Sequence, residues 1–351
     1  MKLAAYTPGR DNNLHLIRIL AAYAVLISHS FVLATGEEHN EPFVSSLGVT
    51  VGSVAVCVFF LASGLLVTGS LLVKKDIREF AFSRIFRIFP ALFVMLIVTV
   101  FIMGPILSAA PLITYLTDAD TYRYFAKSFT LLTGMGKTLP GVFEHNPFPN
   151  AVNGSLWTLK YELRMYAILA LAWFVMTKLF ALRSLHFKWL LVSAAVVSGC
   201  IHLFSCVGYG AYRHEVQLFF MFFTGASLYV LRHRIEMSWW LFCMMAGVLV
   251  VSMLERLWFS MVLALTLPYL LFFLAYVPSG GIRKYNKVGD YSYGLYIYAF
   301  PVQQVVVAYR PDVSVGGMIA WSTLIVLPLA IASWHLIEKP AMNWKYRFSG
   351  A

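Results

Sequence analysis

The feature that most restricts this chain is a succession of apolar runs, each about 20 residues long, the length that crosses a bilayer as a helix. Ten can be marked, near 15–35, 48–73, 88–108, 154–178, 189–207, 215–231, 238–254, 257–277, 291–309 and 316–337. Only 12% of the 351 residues are charged and the mean hydropathy is +0.74. Soluble domains carry about 25% charged residues. The predicted fold class is therefore all-α: a polytopic membrane protein of about ten transmembrane helices. No internal repeat, low-complexity tract or attached soluble domain interrupts the runs, so residues 1–351 read as a single integral-membrane domain. The first run follows a polar start and contains Ser28, His29 and Ser30, which suits a retained helix rather than a cleaved signal peptide.

Charge orients the spans. With the N-terminus in the cytoplasm, 19 of the 27 Lys and Arg residues fall on the cytoplasmic side and six on the other, while Lys160 and Arg164 lie inside the fourth run. That split follows the positive-inside rule and places both termini in the cytoplasm. It also accounts for the net charge of +11 without a nucleic-acid partner. Cys57, Cys200, Cys206 and Cys243 sit in apolar runs without metal-ligand spacing or a disulfide framework, and are expected to be small core residues. A long outer segment, about 109–153, reads either as a lid or as a short amphipathic helix on the membrane surface.

Ionisable groups inside such runs are costly and so carry most of the information. Arg18 and His29 stand eleven residues apart, about three turns, and share one helix face roughly 16 Å apart along the axis. They suit a line from the membrane surface to a buried reaction centre. They also suit a snorkelling Arg and a His hydrogen-bonded between helices. Glu162 lies roughly 12 Å inside the outer end of the fourth run and His29 roughly 10 Å inside that of the first, depths that permit a pairing. A structural ion pair of Glu162 with Lys160 or Arg164 competes, although a spacing of two is poorly placed on a helix. Ser63-Gly64 offers small-residue packing or a close approach by a narrow ligand, packing being the commoner use. Arg84 and Arg87 share a face at the cytoplasmic mouth, where their planar forks suit phosphate and equally anchor lipid headgroups. In the ninth run the tyrosines from Tyr291 to Tyr298 can form an aromatic belt, and Gln303 and Gln304 lie deeper and need partners. Glu338, after the tenth run, is placed to cap basic residues.

Taken in order, six blocks resemble acyltransferase family 3, integral membrane enzymes that acylate sugars and related acceptors. They are Arg18 with His29, Phe59-Phe60 with Ser63-Gly64, Arg84-Ile-Phe-Arg87-Ile-Phe-Pro90, Ser155-Leu-Trp-Thr-Leu with Glu162, Tyr291-Ser-Tyr-Gly-Leu-Tyr-Ile-Tyr298, and Ser333-Trp with Glu338 and Pro340. The resemblance implies transfer of an acetyl or other short acyl group from acyl-CoA, usually acetyl-CoA, to a glycan hydroxyl, with no metal. It implies that Arg18 and His29 are essential and that Arg84 and Arg87 help hold the donor. His29 and Glu162 are then the catalytic candidates, Ser63 lies on the donor's path with the arginines, and Trp157 and Tyr293 are assigned to the acceptor. Many members carry a His at the position of Ala299, so any role of that His is absent here. The implied partners are the acyl-CoA donor, a glycan or lipid-linked saccharide, and membrane lipid. The implied location is the bacterial inner membrane. O-antigen, capsule, exopolysaccharide and a secreted small molecule such as a macrolide all fit as acceptors. A proton-coupled transporter or flippase is the rival class, weakened by the missing repeats.

Overall fold

A computed structural model describes residues 1–7, 9, 11–180, 184–207 and 213–348. Of the residues used to orient the spans, Arg10 and Arg183 lie outside this set. The described residues form helices and turns with two isolated bridges and no strand among them. The principal helices are α1 (Leu14–Thr35), α2 (Val51–Lys74), α3 (Ile77–Ile97), α4 (Ala119–Thr130), α5 (Leu159–Phe174), α6 (Ser184–Val207), α7 (Arg213–Leu231), α8 (Trp239–Ser252), α9 (Arg256–Tyr276), α10 (Ser292–Tyr309), α11 (Val315–Ser333) and α12 (Lys339–Phe348). π-helical turns follow α3, α5 and α11, at Val98–Met103, Val175–Leu179 and Trp334–Glu338.

Every one of the ten apolar runs is helical. Among the described residues, six candidate spans are long and apolar enough to cross a membrane: Leu14–Thr35, Val51–Lys74, Ile77–Leu107, Leu185–Val207, Arg256–Tyr276 and Val315–Trp344. The helices α5, α7, α8 and α10 are shorter or less apolar, α8 having 14 residues. Large apolar side chains point outward along the spanning helices, among them Val197, Ile201 and Phe204 on α6 and Leu324 and Leu329 on α11. Surfaces of that kind suit hydrocarbon rather than water. This also corrects the reading of the cysteines. Cys57 is buried, but Cys200 and Cys243 are exposed, because the outward face of a membrane helix is as apolar as a core.

The chain divides into two compact units interleaved along the sequence. The first comprises Met1–Ala21, Pro42–Phe80 and Tyr161–Asp290. Here Thr50 and Ser53 close the N-terminus of α2 with a capping box, which satisfies backbone donors that a helix end otherwise leaves open. α2 then packs backbone to backbone on α7. A Cβ added at Gly64 would lie 1.9 Å from the Phe222 carbonyl oxygen, and one at Gly225 would lie 2.2 Å from that of Leu61. Small residues at such a crossing let two membrane helices gain dispersion contacts along their length. Gly64→Ala should therefore lower the thermal midpoint of the detergent-solubilised protein, by about 1–3 kcal/mol in stability. Gly247→Ala, where nothing lies within 4 Å, should be neutral or slightly stabilising. Equal midpoints for the two variants would refute this account of the crossing.

The second unit comprises Ala22–Glu41, Ala81–Lys160 and Tyr291–Ala351. Its core gathers Leu33, Phe300, Val306, Val307 and Met318. α10 meets α11 closely, since a Cβ on Gly294 would fall 2.9 Å from the Cα of Ala330. The segment 109–153 contains α4, capped by Asp118, whose Phe125 and Phe129 meet Phe93 edge-on while Phe129 meets Phe89 in the same way. The remainder of the segment is tied down by the buried Gln304. Its Nε2 donates to the carbonyls of Phe148 and Ala151 at 2.9 and 2.7 Å, and its Oε1 accepts from Asn146 at 2.7 Å.

Candidate active site

His29 lies in the last third of α1 and is half-buried. The ring of Phe300 on α10 meets it edge-on, with centroids 5.1 Å apart and planes at 78°. Phe300 in turn rests on the backbone at Gly154, where a Cβ would sit 2.5 Å from its ring. The imidazole Nδ1 is enclosed without a hydrogen-bond partner among the described residues. On either side, Ser28 donates to the buried Glu41 at 2.7 Å and Ser30 donates to the Leu26 carbonyl at 2.9 Å.

The same helix carries Arg18, whose Nη1 lies 2.5 Å from the Asp290 carboxylate, the acid being 5% exposed. Asp290 was not singled out in the sequence, although it opens the tyrosine block; an acidic residue at the mouth of a span was the available signal. Glu162, on the first turn of α5, accepts from Tyr166 one turn on and from Ser63 at 3.3 Å, while Ser63 and Tyr166 are 2.6 Å apart. These three residues close a small polar triangle beside the Gly64 crossing: Gly64 packs, the commoner use, and Ser63 faces the acid. Tyr166 was legible as the i+4 neighbour of Glu162. Arg164 turns away and lies over the ring of Tyr161 at 5.7 Å. Glu162 and His29 belong to different units, each described in its own right.

Arg84 and Arg87 part company. Arg84 is half-buried. Arg87, 14% exposed, reaches Glu338 at 3.2 Å, and Glu338 is 1% exposed and also accepts from Ser333 at 3.0 Å. The guanidinium is flanked by the rings of Tyr293 and Trp334 at 5.8 and 5.7 Å. This is the capping role expected of Glu338, with Arg87 as the residue capped. Tyr293 is buried and donates to the Ile88 carbonyl at 2.9 Å. Trp157, on the 3-10 turn Gly154–Thr158 ahead of α5, is half-buried. Asn153 fixes that turn by capping Ser155 and donating to the Ile297 carbonyl at 2.9 Å.

Apolar helices of membrane-spanning length and the six blocks together point to a membrane acyltransferase. The family model for acyltransferase family 3, described as an acyltransferase domain, matches residues 11–337. The chain belongs to that family. It is 30% identical to an O-acetyl transferase of Shigella phage Sf6, with 94% of this chain and 96% of that one covered. It is 28% identical to Nodulation protein 10 of Rhizobium leguminosarum bv. viciae, with 96% and 95% covered. No solved structure matches.

Proposed function

We propose that this protein transfers an acetyl or other short acyl group from cytosolic acyl-CoA to a hydroxyl of a cell-envelope or exported polysaccharide, at the bacterial inner membrane. In this reading ten spans place both termini in the cytoplasm. The observation that carries it is His29: an ionisable ring on an apolar helix, half-buried against Phe300 with Nδ1 enclosed, which leaves Nε2 as the nitrogen this reading uses for proton transfer. The name of the phage relative, an O-acetyl transferase, supports a hydroxyl acceptor and an acetyl group.

The chemistry follows. A sugar hydroxyl is a weak nucleophile, and a neutral imidazole takes its proton as the oxygen attacks the thioester carbonyl. The C–O bond forms, the C–S bond breaks, and the imidazolium returns the proton to the departing thiolate to give free coenzyme A. Glu162 as the acid that stabilises the imidazolium rests on the family-like blocks and is part of the proposal. On the donor side, a cavity of about 460 Å³ in the first unit is lined by Leu65, Gly69, Ser70 and Lys74 of α2 with Tyr229 and Tyr276. Its size lies within the range of small-ligand sites, and we assign it to the pantetheine arm. Arg84, half-buried on α3, is proposed as a phosphate grip for the donor, since its planar fork suits phosphate. Arg84→Lys keeps the charge but loses the bidentate fork, and should raise the donor KM about tenfold. An unchanged KM would remove Arg84 from the donor site.

The decisive experiment incubates the reconstituted protein with radiolabelled acetyl-CoA and envelope polysaccharide from a strain lacking the gene. Label should enter the polysaccharide and be released by mild base. Label that stays in acetyl-CoA, with glycan mass spectra identical with and without the gene, would overturn the reading.

A further inference from the structure

Gln303 is completely buried on α10, one turn beyond Phe300. Its Nε2 donates to the Leu26 carbonyl at 2.8 Å and to the Ser30 hydroxyl at 2.7 Å. Ser30 passes its own proton to the same Leu26 carbonyl. Because a carbonyl only accepts, the amide orientation is fixed, and both of its N–H bonds are spent on the single turn of α1 that carries His29. Its Oε1 is enclosed without a hydrogen-bond partner among the described residues, so the amide is buried at a cost that an apolar side chain filling the same space would avoid. Its neighbour Gln304, equally buried, serves the 146–151 loop instead.

We propose that Gln303 is a positioning residue for acyl transfer: it clamps the Leu26–Ser30 turn of α1 to α10 and so aims Nε2 of His29. This rests on the reading of His29 as general base. Phe300 sets the ring from its edge and Gln303 sets the backbone beneath it, two contacts from one helix, three residues apart. An aim defined in this way affects the rate of the chemical step rather than donor affinity, because misplacing a base matters most in the transition state.

The test compares Gln303→Met, Ser30→Ala, Gln304→Met and His29→Ala in the full-length reconstituted protein, using radiolabelled acetyl-CoA and the polysaccharide probe above. Gln303→Met removes both donors while keeping length, and should lower kcat about ten- to a hundredfold. The donor KM should stay within about twofold of wild type. Ser30→Ala, a smaller lesion in the same clamp, should shift kcat in the same direction by less. Gln304→Met should lose comparable thermal stability yet keep its kcat. A wild-type kcat in Gln303→Met, with His29→Ala inactive, overturns the clamp and leaves the general base standing. Parallel losses of kcat in Gln303→Met and Gln304→Met also overturn it, since they would mark a purely structural role. Should Gln303→Met fail to fold, an undiminished kcat in Ser30→Ala overturns the proposal on its own. Absent transfer by the wild type, or full activity of His29→Ala, removes the underlying reading and the clamp with it.

Discussion

His29→Ala is expected to silence acyl transfer in a protein that still folds and inserts. The two effects separate because the side chain has so little structural employment. Among the described residues its Nδ1 has no hydrogen-bond partner, and the ring meets that of Phe300 edge-on, a contact of about 0.5–1.5 kcal/mol. As a general base it supplies roughly 10²–10⁴-fold of the rate. Label transfer should thus fall by that factor while the thermal midpoint barely moves. Near-normal turnover from a well-expressed His29→Ala protein would exclude the imidazole from the mechanism and favour another proton acceptor.

The largest effect on stability is expected at Arg87. Removing its charge in Arg87→Met leaves the carboxylate of Glu338, 1% exposed, without a cation, a loss of about 3–5 kcal/mol. Glu338→Gln should be milder, about 1–2 kcal/mol, because the amide oxygen still accepts from Arg87 while the amide nitrogen can donate to the Ser333 hydroxyl in place of the bond that Glu338 accepts from it. Pairing Arg87→Met with Glu338→Met should restore much of the loss, as buried ion pairs often tolerate joint replacement by apolar residues. Denaturant or thermal unfolding of these proteins, with Glu338→Met as the second single variant, closes the cycle. An Arg87→Met protein as stable as wild type but deficient in donor affinity would return Arg87 to the donor site.

These cases mark what local pattern reveals and what it hides. Helices occupy every apolar run because run length and periodicity are local properties. Arg18 and His29 are found on one continuous helix for the same reason. The identity of partners is not local. Arg18 meets Asp290 across 272 residues and Arg87 meets Glu338 across 251, and no spacing rule links them. Arg84 and Arg87 look equivalent in the sequence, three apart on one face, until the tertiary fold gives Arg87 a buried acid and two aromatic rings. The role of Gly154 was equally hidden, since a missing side chain registers only when the ring resting on it is known.

The Gly64–Gly225 crossing governs which parts of the first unit can breathe. Where the two backbones touch, at Gly64 and Gly225, there is no crevice for an acyl tail or a lipid chain, and the helices cannot slide there without first lifting apart; the cavity lined by Gly69 and Tyr229 opens beyond that crossing. α2 and α7 therefore behave as one rigid plank. Any gap that opens to admit or release a substrate must lie along a seam made of longer side chains, where rotamer changes alone create room. Ser63, fixed to the edge of that plank next to Gly64, is a stationary landmark past which a mobile arm would travel.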